Sequence, residues 1–549
     1  MNRISILGFL WLSIIAQDLY AQNPTGTMLP QLDPLDIEIR GDFKLKYASL
    51  NRQPILGFST NQRIYALDPN RLPYMETEEE VRTSLPIPVL SRPVAPRRLR
   101  ILSPKNRLLH SYGSYGSFNS IESGTTLQAP ISDNASILSS VYYDYSEGHL
   151  SDLGSYDNLI IHTGLFANTS PKGQWYISGS AKKGTNDTNN TDVDKSYRGV
   201  GLATNYQYIL NGLNHVEFTL QLDANQIDSN VAKRNNQDVF LQSRVSYQKT
   251  GKKIGDILLT TVELTSSQSR NTSQASSSRT TVYINPNYER QLNYIAKLRV
   301  GSLLFVDQSD ESNIGLYPEI GLEWFQIPGL IVSTNLSGDV IHHKPSDFHF
   351  INKFSNLDIQ AKSERKWVAD AKLIYDIKNL VEFSAALSYQ QSKDLPYFQT
   401  KPLETEGALY AVSYAPEATM IKATVGANIS LIPDIALLNA QAYYQENTMD
   451  DNVFIPFTEK MGASVESQFR FFDRFYMRAW YQYIGDRTTD IKERELEGFS
   501  LVNAESEIML TSNVGFYVKG LNLLNKKYIW WKDYEERSLQ LYGGVKLRF

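Results

Sequence analysis

The closing strand constrains this chain more than any other feature. Reading back from the end, Phe549, Leu547, Val545, Gly543, Leu541 and Leu539 alternate with Arg548, Lys546, Gly544, Tyr542, Gln540 and Ser538. A strand turns successive side chains to opposite faces, so one face here is apolar and the other polar or small. In an outer-membrane β-barrel the apolar face meets lipid and the polar face lines the lumen.

The other end agrees. Arg3 is followed by an apolar core from Ile4 to Ala16 (ISILGFLWLSIIA), and Leu19-Tyr20-Ala21 places a small residue at a cleavage point. That core is too short to span a bilayer as a helix, so residues 1–21 are expected to be a cleaved signal peptide, leaving Gln22 first. No later stretch approaches the ~18 continuous apolar residues of a spanning helix. The chain is therefore soluble or crosses a membrane as strands. Its 33 tyrosines and 23 phenylalanines, beside 21% charged residues and a mean hydropathy of -0.34, suit strands with one wet face and aromatic girdles at the interfaces. The net charge of -5 gives no reason to expect nucleic acid. With no cysteine there is no acylation site and no disulfide framework.

From about Leu108 the sequence is a succession of alternating segments. Val216, Phe218, Leu220, Leu222 and Ala224 alternate with Glu217, Thr219, Gln221 and Asp223, and the same period runs from Ile421 to Leu431. Period two with turn residues between argues for strands and against helices. Connections such as Ser170–Gly173 and Ile327–Gly329 are short, while Gly184–Lys195 and His342–Arg365 are long and polar. Short turns on one side and long loops on the other are the outer-membrane arrangement. A soluble β-sandwich would not need the leader, the aromatic terminus and this alternation together. The fold class expected over residues 108–549 is an all-β, transmembrane antiparallel β-barrel of about 22 strands, with as few as ~16 still compatible. The count is ambiguous between Ser392 and Asp434, where Ala415–Ala418 and Ile432–Asp434 both read as periplasmic turns.

Four segments carry a family resemblance. Tyr112–Asn119 (YGSYGSFN), followed by Ile121–Thr126, Leu127–Asp133 and Val141–Gly148, resembles the opening hairpin of TonB-dependent receptor barrels. Val518–Tyr528 (VKGLNLLNKKY) resembles their penultimate strand, and Gly543–Phe549 (GGVKLRF) their closing one. Ile455–Thr458 (IPFT) is similar to a short loop-to-strand passage late in that barrel. The resemblance implies a monomeric barrel in a Gram-negative outer membrane, with Phe549, Leu547, Val545 and Leu541 as the signal by which assembly machinery receives it.

Gln22 to Arg107 departs from the family. A complete receptor carries a globular plug before the barrel. Here Pro30, Pro34, Pro54, Pro69, Pro73, Pro86, Pro88, Pro93, Pro96 and Pro104 interrupt the segment, and no TonB box is recognisable. Proline removes a ladder donor and restricts the preceding residue, so at most a helical turn at Met75–Arg82 and short strands near Ile37–Tyr47 are expected. Residues 22–107 read as an extension that hangs in the periplasm or lies along lumenal side chains such as Glu217, Lys422 and Gln468. Its acidic run Glu76–Glu80 and basic Arg97–Arg100 read as solvated linker, with a periplasmic partner as the alternative.

Candidate chemistry is sparse. No motif sets a serine beside a histidine, so no enzyme is expected. His342, His343 and His349 share one long loop with Asp339 and Asp347, and such loop residues read as solvated rather than metal-ligating. Asn186–Asp194 and Asp450–Asn452 carry oxygen ligands without EF-hand spacing. No cofactor or metal is expected. Tyr528, Trp530, Trp531 and Tyr534 read as an aromatic girdle near the outer interface, with a sugar-stacking platform as the weaker alternative. Two functions compete: a barrel that passes, or helps to pass, solutes across the outer membrane, and a structural scaffold whose N-terminal segment docks a periplasmic protein.

Overall fold

The computed structural model describes residues 108–549 apart from short stretches: 133, 148–154, 171, 189–192, 212–213, 230–234, 252–255, 272–275, 294, 309–311, 326, 328, 353, 357–358, 360–361, 378–379, 401–409, 433–434, 450–452, 472–473, 490–494 and 532–533. The expectations for the signal peptide, the proline-rich extension with its charged runs, and Asp450–Asn452 fall outside the described residues.

The described residues form one closed antiparallel barrel of 22 wall strands, from Leu108–Gly116 to Gln540–Arg548, with a two-residue strand, Val453–Phe454, hanging on Ala436–Met449. Each wall strand pairs with its sequence neighbour, and the first pairs with the last through Ser111↔Leu547, Tyr112↔Lys546 and Gly113↔Val545. Closure leaves no sheet edge, as lipid requires. The outer wall is apolar: Val200 is 62% exposed, Leu316 59%, Val425 58% and Val518 60%. Leu541 and Val545 join that outward face.

Many inward positions are polar and pair with wall neighbours. Asn205 Nδ2 donates to Glu217 at 2.5 Å, and Gln468 Nε2 to Glu466 at 2.9 Å. Lys422 Nζ sits 4.4 Å from the Tyr443 ring centre. Arg478 Nε donates to Glu466 at 2.6 Å, and Lys546 and Arg548 both reach Glu507.

Two features differ from the sequence expectation. Ala415–Ala418 is no turn; it lies inside a single strand of 23 residues, Tyr410–Ile432, which pairs with Val381–Thr400 along its length. Pro416 has no N–H for the ladder. The facing Asp394 takes a left-handed φ of 56°, and the pairing passes from Lys393↔Glu417 to Leu395↔Ala415 around the pair. The pairing continues in the same register beyond this position, and the single long strand gives an even strand count. The second difference is length. A tilted strand needs ~9–11 residues to cross the hydrocarbon; many here have 15 or more, so the barrel wall continues into what read as polar loops.

At the seam between first and last strands, Gly116 and Gly544 are required by sterics, while Gly113 and Gly543 have open space for a side chain. A Cβ on Gly116 would come within 2.5 Å of the Leu541 carbonyl oxygen, and one on Gly544 within 2.5 Å of the Gly113 oxygen and of the Tyr517 ring. Tyr112 and Tyr517 meet edge to face at 6.5 Å over this floor. Lys519 reaches across the two closing strands to Glu122 at 2.7 Å, with its ammonium 4.2 Å from the Tyr542 ring. Both partners are buried.

Candidate functional site

The segment between strands Leu330–His342 and Ser363–Ile377 folds inward at the long-loop end, the outer mouth in the orientation of outer-membrane barrels. Its helix, Pro345–Ile351, starts where sequence rules place a start: Pro345 sits in the first turn, and the Asp347 carboxylate accepts the Lys344 backbone N–H at 3.1 Å. Asn352 N–H then donates to the Phe348 carbonyl at 2.9 Å, and the Asn352 side chain accepts from Phe354 N–H. Phe348, Ile351, Phe354 and Ile359 of this stretch are buried, and Phe350 is half-buried.

One flank of the segment docks on strands Val193–Asn211, Asn214–Ser229 and Asn235–Thr250. Lys344 pairs with Asp223 at 3.2 Å and lies over Phe240 at 4.8 Å. Ser346 N–H donates to Asp238 at 3.1 Å, Lys195 donates to the Ser355 carbonyl, and Phe350 packs edge-on against Tyr197 at 5.1 Å. The other flank meets an aromatic cluster. Phe348 is 6.2 Å from Phe398, which is 5.1 Å from Trp531. Tyr410 contacts Phe457 at 5.4 Å and Trp531 at 5.3 Å. The Asn356 N–H donates to the Tyr410 carbonyl at 2.6 Å. The loop thus ties together arcs of wall that several strands separate in sequence.

Arg487 anchors the far side of the cluster. It donates to the carbonyls of Trp530 at 2.9 Å and Ile529 at 2.6 Å, and its guanidinium lies 5.3 Å from Phe499 and 5.2 Å from Trp530. Burial lowers its pKa to about 10, which leaves it charged at neutral pH. Burial pushes the nearby Glu459 carboxyl up. In the helix, burial, with Lys195 adding to it, pushes the His349 imidazole down to about 3.

The histidines do not converge. His342 is buried between Thr281 at 2.6 Å and Ser363 at 3.2 Å, His343 pairs with Glu364 at 2.9 Å, and His349 lies in the helix. The solvated reading of this loop is corrected: His342 and His349 are buried because the loop packs into the mouth. Among the described residues no three His, Asp or Glu side chains come together to hold a metal. Tyr528, Trp530 and Trp531 are buried in the aromatic cluster, a packing position rather than the exposed one a girdle needs; the Tyr534 side chain is outside the described residues. The density of aromatics in Pro345–Phe354 (PSDFHFINKF), unusual for a solvated loop, was the signal that it docks.

Comparison with solved structures returns outer-membrane transporters and receptors. The FrpB iron transporter from Neisseria meningitidis superimposes with a TM-score of 0.66 at 10% identity, over 81% of this chain and 82% of that chain. The copper transporter OprC gives 0.66 at 10% identity, over 81% and 83%. The closed form of the ferric-catecholate import receptor Fiu from E. coli K12 gives 0.63 at 11% identity, over 81% and 82%. The barrel fold is that of TonB-dependent receptors, as the terminal motifs implied. No family model matches the sequence, and no curated protein matches it.

Proposed function

We propose that the chain is a monomeric outer-membrane barrel that passes, or helps to pass, solutes across the outer membrane through a mouth obstructed by its own 344–362 loop. The observation that carries this reading is the loop itself: its buried aromatic and polar contacts reach both flanks of an otherwise polar-walled barrel. A wall without such a closure would leak, and a loop held by a few contacts can release where a wall strand cannot. The fold shared with named transporters supports the same reading. Lipid meets the apolar wall, and assembly machinery is the partner implied by the closing strand ending at Phe549.

Single-barrel conductance in planar bilayers tests it. The wild-type barrel is expected to conduct little, and a barrel lacking residues 345–359 to conduct steadily. Equal, closed behaviour in both, with a periplasmic protein that co-purifies and is lost on deleting residues 23–107, would replace transport with the scaffold role. Recovery of the chain as a soluble periplasmic protein would end both.

A further inference from the structure

Beside the aromatic cluster lies a cavity of ≈ 120 Å³ that the loop packing does not use. About 10–15 Å³ suffices for one water, so this space takes several waters or one compact molecule. Its walls are the end of strand Ala436–Met449, the turn after Val453–Phe454, and the segment around Arg487. The turn is fixed in place: Gln445 N–H donates to the Lys460 carbonyl at 2.7 Å, Ile455 N–H to Asn447 at 3.0 Å, and Phe457 N–H to Thr488 at 2.8 Å.

The polar groups lining it are unusual. Asn447 is 3% exposed, and both its Oδ1 and Nδ2 lack a hydrogen-bond partner in the protein; so do Gln445 Oε1 and Arg487 Nε, each on a side chain 1% exposed. Buried polar groups left unpaired are costly, and a native fold keeps them where something else pairs them. Together they present two acceptors, Gln445 Oε1 and Asn447 Oδ1, and two donors, Asn447 Nδ2 and Arg487 Nε. Phe454 supplies an apolar wall.

The lining charges nearly balance. Glu459, Asp486 and Glu495 face Lys460 and Arg487, so no strong field of one sign selects an ion. A neutral molecule whose groups each both donate and accept fits this balance. We propose that this cavity binds a neutral polyhydroxyl ligand, such as one sugar ring or a cyclic polyol. The assignment is independent of solute passage, because a scaffold barrel would hold the ligand equally well.

Calorimetry on the full, detergent-purified chain tests it with glucose, galactose, mannose and myo-inositol as probes and inorganic phosphate as control. Saturable binding of at least one probe is expected, weakened about tenfold or more in Asn447→Leu and in Gln445→Leu. Heat-modifiable gel mobility confirms that each variant is a folded barrel, and Asn447→Asp, which keeps the size but loses the donor, serves if the leucine variant does not fold. Absence of binding by the folded wild type, binding that survives these variants, or preference for phosphate would each overturn the proposal.

Discussion

The seam and the mouth close the same barrel by different physics. At the seam, Leu108–Gly116 and Gln540–Arg548 are joined by a backbone ladder over a glycine floor, with the buried Glu122–Lys519 pair spanning the join. At the mouth, the 344–362 loop is held mainly through side chains: Phe348 in an aromatic cluster, Lys344 on Asp223 and the Asp238 carboxylate on the Ser346 N–H, beside a backbone bond from Asn356 to Tyr410. A ladder is cooperative, and breaking it exposes a row of unpaired amides to lipid. A docked loop can leave while every wall hydrogen bond stays intact. The proposed passage of solutes therefore assigns permanent closure to backbone and reversible closure to side chains.

Four perturbations sharpen or break that contrast, the strongest first. Deleting Phe549, or replacing it with Asp, should sharply reduce the yield of heat-modifiable barrel, whereas His342→Ala or His343→Ala should reduce it far less; equal yields would remove the closing strand from the assembly step. Lys519→Met removes the ammonium that donates to both oxygens of the buried Glu122 carboxylate, at a cost of ~3–5 kcal/mol, while the Glu122→Leu/Lys519→Met double variant should return close to wild type. Urea titration in lipid or detergent reads the difference, and a neutral single variant would show that the seam does not depend on the pair.

Phe348→Ala should cost ~3 kcal/mol, but only against loop docking. Protease cleavage within 344–362 should then rise about a hundredfold with the urea midpoint of the barrel unchanged, since each ~1.4 kcal/mol is a factor of ten. A fall in that midpoint would mean that mouth and wall unfold together. The smallest effect is set by acid. His349 has a docked-state pKa of about 3, below its free value, so the undocked loop binds more protons and docking is strongest at high pH. Docking should weaken by ~1.4 kcal/mol per pH unit below ~6.5, reaching ~2 kcal/mol at pH 5, until the docked value is passed. Conductance recorded from pH 7.5 to 5 should rise, and His349→Gln should flatten the response.

The same contrast explains what was legible in the sequence. The alternation in Val216–Ala224 or Ile421–Leu431 is a local property, and a strand of period two has few options other than a wall. The terminal motifs located both halves of the seam for the same reason. Ala415–Ala418 misled because Pro416 carries a turn signal that only the facing Asp394 neutralises, and a facing strand is not visible from one segment. The mouth was harder still. Trp530 and Trp531 look like interfacial anchors until Phe398, Tyr410 and Phe499, distant in sequence, are brought against them. The cavity beside Asn447 depends on three separate segments and leaves no pattern in any of them.

The pairing of Glu122 with Lys519 joins residues 397 positions apart. Bringing such distant points of a flexible chain together costs roughly 5 kcal/mol in loop-closure entropy. Closure is therefore favoured once the intervening hairpins have drawn the two ends together, and before that both terminal strands present raw edges that a neighbouring chain could capture. The same circumstance defines where such a molecule is free to change over generations. A hairpin added or lost between the ends alters girth and leaves the join untouched, whereas the two terminal strands can change only in step with each other.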